Sequence, residues 1–430
     1  MYKVQSGDTV PALAARFRTT ETDIESKNAF ILQGDYSTTL PARMPLHIDF
    51  PTGVDTYQIM HIIPNTYFIY GPSQKDFDVQ AFIDHTNGWL KNYIDRSSGN
   101  DVSGVQILRA TAENYSISPR LLITLLEYQL HALTNPDLPP SFYLGSKETN
   151  RKTLGKQLSW AANKLNNGYY GWRNGKQTHF TDISGYSISP DPRDNAASVA
   201  LIYYFSQFLS GEELEQILSP QGFVTTYASL FGQINPEADN ELSIFPDNLQ
   251  QPELILPLQP GVKWAFTGGP HSGWGTGFPY AAIDFAPPAN TAGCDPSPYQ
   301  AISASDGIIS RVEDGLVVID LDGDGFPQTG WNILYLHLAP DRNLKTGMSI
   351  VKGDNLGHPS CLGGNSNGRN IHIARLYNGE WIPADGVIPM NLGGWVASAG
   401  EKEYKGILSK ENKILKSSNV GEWFSQLLVD

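Results

Sequence analysis

Four short segments of this 430-residue chain bring together side chains that could hold a metal and move protons. They are Gly268-Gly269-Pro270-His271, Tyr280-Ala281-Ala282-Ile283-Asp284-Phe285, Tyr335-Leu336-His337-Leu338 and Asn370-Ile371-His372-Ile373. A hydrolytic zinc site needs three protein ligands and one open position. His271, Asp284 and His372 offer two nitrogens and one oxygen, a donor set suited to Zn²⁺. Such an ion polarises a carbonyl and activates water, and a neighbouring histidine takes the proton or stabilises the oxyanion. His372 lies in a strand-like run, so Asn370, two residues earlier, projects from the same face. His337 occupies a comparable strand end. The other six histidines (His47, His61, His85, His131, His179 and His358) read as ordinary core or surface residues.

Three further features could carry chemistry. Glu127 ends the apolar run Leu121 to Leu126, and a carboxyl held among leucines has the raised pKa of a glycosidic general acid. Asp320-Leu321-Asp322-Gly323-Asp324-Gly325 starts like an EF-hand loop, but its twelfth position is Trp331 rather than a bidentate glutamate. Lying between two strand patterns, it reads first as a hairpin loop and second as a weak calcium loop. Cys294 and Cys361 are the only cysteines, open to one bridge in an oxidising compartment or to two buried thiols.

The elements that must position these residues fall into textures that change along the chain. Tyr2 to Thr9 reads as a short strand and turn, Ala12–Phe17 as a helical turn and a half, about 22–27 as a second helix, and Leu46–Ile48 as a returning strand. This first module, 1–50, leaves through the Pro-rich stretch ending at Pro51-Thr52-Gly53. Helix-period patterns follow over 70–232, notably Ile107–Leu133, with a start signal at Ser118-Pro119, and Ser198–Leu209. A Pro-, Asn- and Gln-rich linker spans 233–260. Short alternating strands with glycine turns occupy 261–395, and 396–430 reads as a C-terminal extension. The fold class expected is a multidomain α+β chain: a small βααβ module, an α-helical middle and a C-terminal antiparallel β-sheet domain.

Three resemblances add to this reading. Gln5-Ser6-Gly7-Asp8-Thr9, Ala14-Ala15-Arg16-Phe17, Ile24 and Asn28 resemble a LysM domain over about 48 residues. That resemblance implies binding of N-acetylglucosamine-containing glycan by Gly7, Asp8 and Thr9 on one side and Asn28 and Ile31 on the other. Pro119 to Glu127, with Asn166 to Arg173 and Asn195 to Ser198, resembles the catalytic-helix region of lysozyme-like lytic transglycosylases, although Tyr128 stands where those enzymes place serine. Residues of about 264–390 resemble the M23 (LytM- or lysostaphin-like) zinc metallopeptidases. The Gly-Gly-Pro-His opening, with its aspartate 13 residues later, is most similar to the β-lytic and staphylolysin branch. This implies a β-sheet groove, His271, Asp284 and His372 as ligands of Zn²⁺, and cleavage of peptidoglycan stem or cross-bridge peptides. The family's His-x-His begins with a catalytic histidine, and Asn370 stands in that place, leaving His337 to carry proton transfer with Asn370 as a hydrogen-bond donor.

Composition narrows the partners. Thirty basic against 44 acidic residues give a net charge of −14, which argues against a nucleic-acid binder and against capture by anionic membranes. No apolar run is long enough to span a bilayer, and no signal-peptide core opens the sequence. The expectation is a monomeric, LysM-anchored peptidoglycan endopeptidase, extracellular or associated with the cell wall, its leader absent from the sequence as given. Two rivals remain: a catalytically impaired wall-binding protein, for which Asn370 speaks, and cleavage of glycan strands through Glu127.

Overall fold

The computed structural model describes residues 1–32, 39–50, 60–97, 99–288 and 293–429; the expected exit at Pro51–Gly53 lies outside them. The chain forms two compact units, Met1–Asn248 and Leu249–Asp430.

The first unit opens with β1 (Tyr2–Lys3), α1 (Val10–Phe17), α2 (Glu21–Lys27) and β2 (Pro45–Leu46), the two strands pairing antiparallel. Both helices start earlier than their apolar spacing predicts, because capping side chains fix the start. The Thr9 hydroxyl accepts from the Ala12 amide, and that of Thr20 from the Asp23 amide. Tyr2, Val4, Leu13, Phe17, Ile24 and Leu46 form a small apolar core.

The rest of this unit is helical: α3 (Gly104–Tyr115), α4 (Pro119–Leu130), α5 (Leu154–Arg173) and α6 (Ala196–Ser206) are its principal elements. The run over Ile107–Leu133 is thus two helices, broken where Ser116 turns left-handed as the cap of α3. Ser118 then caps α4 with Pro119 at its first turn, as the sequence signals. α6 is buried on nearly every side, which explains its apolar circumference.

The second unit is built on one large antiparallel sheet. Its main strands are β3 (Lys263–His271), β4 (Ala282–Ala286), β5 (Gly307–Glu313), β6 (Gly315–Asp320), β7 (Trp331–Pro340), β8 (Asn355–Pro359) and β9 (Ile371–Tyr377). β10 (Trp395–Ala399), β11 (Gly406–Lys410) and β12 (Lys413–Lys416) form a second sheet, and β13 (Gln426–Leu428) closes the edge of the first against β3. The large sheet runs in the order β5-β6-β7-β9-β4-β3-β13. One face carries the core, with Trp264, Phe266, Ile283, Phe285, Tyr335 and Ile373. Residues 396–430, expected as an extension, are therefore integral to this unit. The linker expected over 233–260 is divided: Leu254 and Leu258 pack in the core of the second unit.

Candidate metal centre

Alternation along the strands explains how the four chemical segments meet. In β9, Ile371 and Ile373 enter the core, so His372 faces the other way. In β4, Ile283 and Phe285 do the same and Asp284 stands directly across the ladder from His372. A bulge in β3 then brings Gly268 opposite Asp284. A Cβ on Gly268 would sit 2.5 Å from the Asp284 carboxylate, so the missing side chain makes the room.

His337 reaches this face only because β7 breaks its period. Ile333, Tyr335 and Leu338 are core residues, so strict alternation would bury residue 337 among them. Between Leu336, paired with Leu316, and Leu338, paired with Gly315, one extra residue is accommodated, and it is His337. Its φ of 65° is left-handed, uncommon outside glycine. The bulge turns its ring toward the cleft, 6.0 Å centroid to centroid from His372.

The donor set is oriented by its surroundings. His271 donates from Nδ1 to the Gly269 carbonyl at 2.8 Å, leaving Nε2 as a lone pair. His372 donates from Nε2 to the Gly273 carbonyl at 3.0 Å, leaving Nδ1. Those two free nitrogens lie 3.0 Å apart, and Oδ1 of Asp284 lies 3.3 and 3.4 Å from them. That oxygen is buried with no hydrogen-bond partner. Three electron-pair donors thus converge on one point, an arrangement suited to a cation. Tetrahedral ligands about 2.0–2.1 Å from a zinc ion would be about 3.3 Å apart, so the separations fit. Burial raises the Asp284 pKa, but His271 and then His372 outweigh it and hold the carboxyl well below the usual range. Burial lowers that of His271, and Asp284 reverses this to a net rise.

His337 donates from Nδ1 to the Leu362 carbonyl at 2.9 Å, which leaves Nε2 to accept a proton. Burial and the nearby His372 push its pKa below the usual imidazole value, favouring the neutral base. Asn370 lines the same cleft, of about 660 Å³, with His271, Asp284, His337 and His372. Its carbonyl oxygen accepts from the Ser366 hydroxyl at 3.1 Å. Cys294 and Cys361 are joined as a disulfide in the structure, their Cα atoms 5.0 Å apart.

Tyr404 was not singled out in the sequence. It arrives on the loop between β10 and β11 and stacks on His271, ring centroids 4.1 Å apart. Burial and the charges of Asp284 and Glu403 push its hydroxyl up to about 12, so it stays a neutral donor beside the cleft. Neither a motif nor a period marks it.

The remaining candidates are engaged elsewhere. Glu127 accepts from the Leu133 amide at 2.7 Å and the Thr134 hydroxyl at 2.6 Å, closing the turn after α4. Glu127 is buried, as the apolar run implies, with both oxygens hydrogen-bonded to that turn. Asn195 and Ser198 likewise tie Ile63 and Ile62 to α6. In the N-terminal module Asp8 is fully buried, accepting from the Tyr2 hydroxyl and the Gln5 amide and pairing with Arg16. Thr9 is the α1 cap, and Asn28 clamps Ile24 and His47 through three hydrogen bonds. Gly7, φ 81°, is covered by the helical part of its own unit. A Cβ there would sit 2.2 Å from the Arg173 guanidinium and 2.5 Å from the Phe245 ring. Gly7 and Asp8 are thus closed off in this structure, while Thr9 is half-buried and Ile31 is half-buried beside exposed Phe30.

Residues 2–48 match the family model "LysM domain", and residues 61–243 match "LasA, N-terminal domain". Protease LasA of Pseudomonas aeruginosa is 22% identical over 359 residues, with 78% of each chain covered. Among solved structures, a novel M23 metalloprotease, pseudoalterin, from the deep sea aligns with a TM-score of 0.33 at 20% identity, over 40% of this chain and 96% of that one. The catalytic domain of lysostaphin from Staphylococcus simulans aligns at 0.20 and 22%, over 29% and 89%. The chain therefore carries a LysM domain and a LasA-type N-terminal domain, joined to a C-terminal antiparallel β unit, and is homologous to Protease LasA.

Proposed function

We propose that this protein is a zinc-dependent endopeptidase of peptidoglycan, cutting stem or cross-bridge peptide bonds at the wall outside the cytoplasm. The observation that carries the reading is Asp284 Oδ1, buried without a partner and facing the free nitrogens of His271 and His372. These three residues would hold Zn²⁺, which when bound polarises a peptide carbonyl and lowers the pKa of water. His337, with Nδ1 fixed by Leu362, accepts the proton at Nε2 and returns it to the leaving amine. Tyr404 and the Asn370 amide supply neutral donors to the developing oxyanion. The LysM domain raises the local concentration of the second unit at its substrate. The domain plan is an anchor over 1–50, a helical domain over 70–232 and a peptidase domain over 261–395 completed by 396–430. The disulfide and the LysM match support an extracellular setting.

A second reading has one observation behind it. Asn370 stands where a second proton-transfer group is expected, and an amide takes no proton at neutral pH. Loss of one general acid–base group costs about 10²–10⁴-fold, which leaves a slow peptidase or a wall-binding protein. Amine release from purified peptidoglycan by zinc-loaded protein distinguishes them. Release abolished by His337→Ala supports the peptidase, and the same background from both proteins contradicts it.

A further inference from the structure

The turn joining β6 to β7 gathers oxygen ligands that the peptidase reading does not use. Asp320, Asp322 and Asp324 bring carboxylate oxygens within 4.8 Å of one another. Asp320 is fully buried at the end of β6, holding the Gly325 amide at 2.8 Å, while Asp322 and Asp324 are exposed. Left-handed Gly325, φ 83°, bends the chain at the sixth position of the loop, as an EF-hand glycine does.

An independent observation comes from the other strand. Asn332 pairs directly with Asp320 across the ladder, so the two side chains leave the same face next to each other. Asn332 is 1% exposed; its Nδ2 donates to the Thr329 carbonyl at 2.8 Å, and its Oδ1 has no partner. A buried amide oxygen without a donor, set across the ladder from the buried Asp320 carboxylate, calls for a positive group.

The geometry points to a calcium site in this turn, with Asp320, Asp322, Asp324 and the Asn332 amide oxygen as ligands. Calcium takes six to eight oxygens in flexible geometry, which suits three carboxylates, an amide, loop carbonyls and water, whereas Mg²⁺ demands a near-ideal octahedron. Trp331 occupies the position of the bidentate glutamate, so one amide oxygen from the next residue replaces two carboxylate oxygens. Affinity therefore falls in the range of about 10⁻⁴–10⁻³ M typical of extracellular modules. The bound ion would fasten the start of β7, the strand that carries the His337 bulge.

The test uses the full chain, loaded with zinc and freed of excess metal, titrated with CaCl₂ by calorimetry and followed by thermal unfolding. One saturable site per chain and a rise in Tm with CaCl₂ are expected. The Asp322→Asn/Asp324→Asn variant, altered at exposed positions, should keep its fold and lose at least about tenfold in affinity, and with it the rise in Tm. Absence of saturable binding up to about 10 mM, or an unchanged affinity in the variant, overturns the assignment.

Discussion

His337 is tethered to Leu362: its Nδ1–H donates to the Leu362 carbonyl at 2.9 Å, one residue beyond the Cys294–Cys361 disulfide. The bulge in β7 delivers the imidazole to the cleft, and this bond fixes which nitrogen is free. The disulfide therefore bears on the proposed base as well as on stability. Cysteine 361 is 67 residues from its partner, and losing a bridge of this kind costs about 2–5 kcal/mol. Cys294→Ser/Cys361→Ser should lower Tm and depress peptide cleavage more than zinc content. Thermal unfolding and metal analysis of the same sample check this; equal loss of zinc and activity would contradict the tether.

Removing metal from the proposed site should expose the conflict among His271, Asp284 and His372. Without a cation, Asp284 Oδ1 remains buried and unpaired beside His271 and His372. A chelator should therefore lower Tm by several degrees, and zinc should restore it. In Asp284→Ala the carboxylate is gone, so zinc should bind at least about 100-fold more weakly and have little effect on Tm.

Tyr404 separates packing from chemistry. Tyr404→Phe keeps the ring on His271 and removes the hydroxyl. Cleavage should fall by about 10²–10³-fold with Tm and zinc content nearly unchanged. An unaltered kcat would limit this residue to packing.

Much of the candidate site was legible because its residues sit in strand patterns with period two. His372 and Asp284 follow from that period and the glycine-rich opening at Gly268. Tyr404 was not legible, because it reaches His271 from a loop 133 residues away in the sequence, held by contacts that no local pattern encodes. Glu127 is a mixed case. A carboxylate after an apolar run is indeed buried, but the two hydrogen bonds donated to it by the turn that follows are not marked in the sequence. The packing of Arg173 and Phe245 over Gly7 is likewise not encoded in any local pattern.

That closure predicts a gain of function. The Ser6 hydroxyl accepts from the Phe245 amide at 3.1 Å, and the Phe245 ring covers Gly7. Phe245→Ala should open the loop and tighten binding of N-acetylglucosamine oligomers, on the order of tenfold. Calorimetry with a soluble chito-oligosaccharide checks this, and unchanged affinity would assign binding to the Ile31 side alone.

Stability of the first unit should depend on Asp194. Burial pushes its pKa up to about 7, although the Met60 and Asp191 amides donate to it. A folded value above the unfolded one means that the protonated form is favoured in the folded state. Its contribution is fully present below pH about 4 and is lost as pH rises through about 7. Asp194→Asn should flatten the stability profile in that window, as urea melts between pH 4 and 8 would show.

Zinc-dependent cleavage of peptide bonds in the wall can be read by mass spectrometry of fragments released from purified peptidoglycan, with and without a zinc chelator. New peptide amino termini that disappear on chelation and return with Zn²⁺ are expected. Anhydro-sugar ends, or no release from protein that still sediments with the wall, would contradict it.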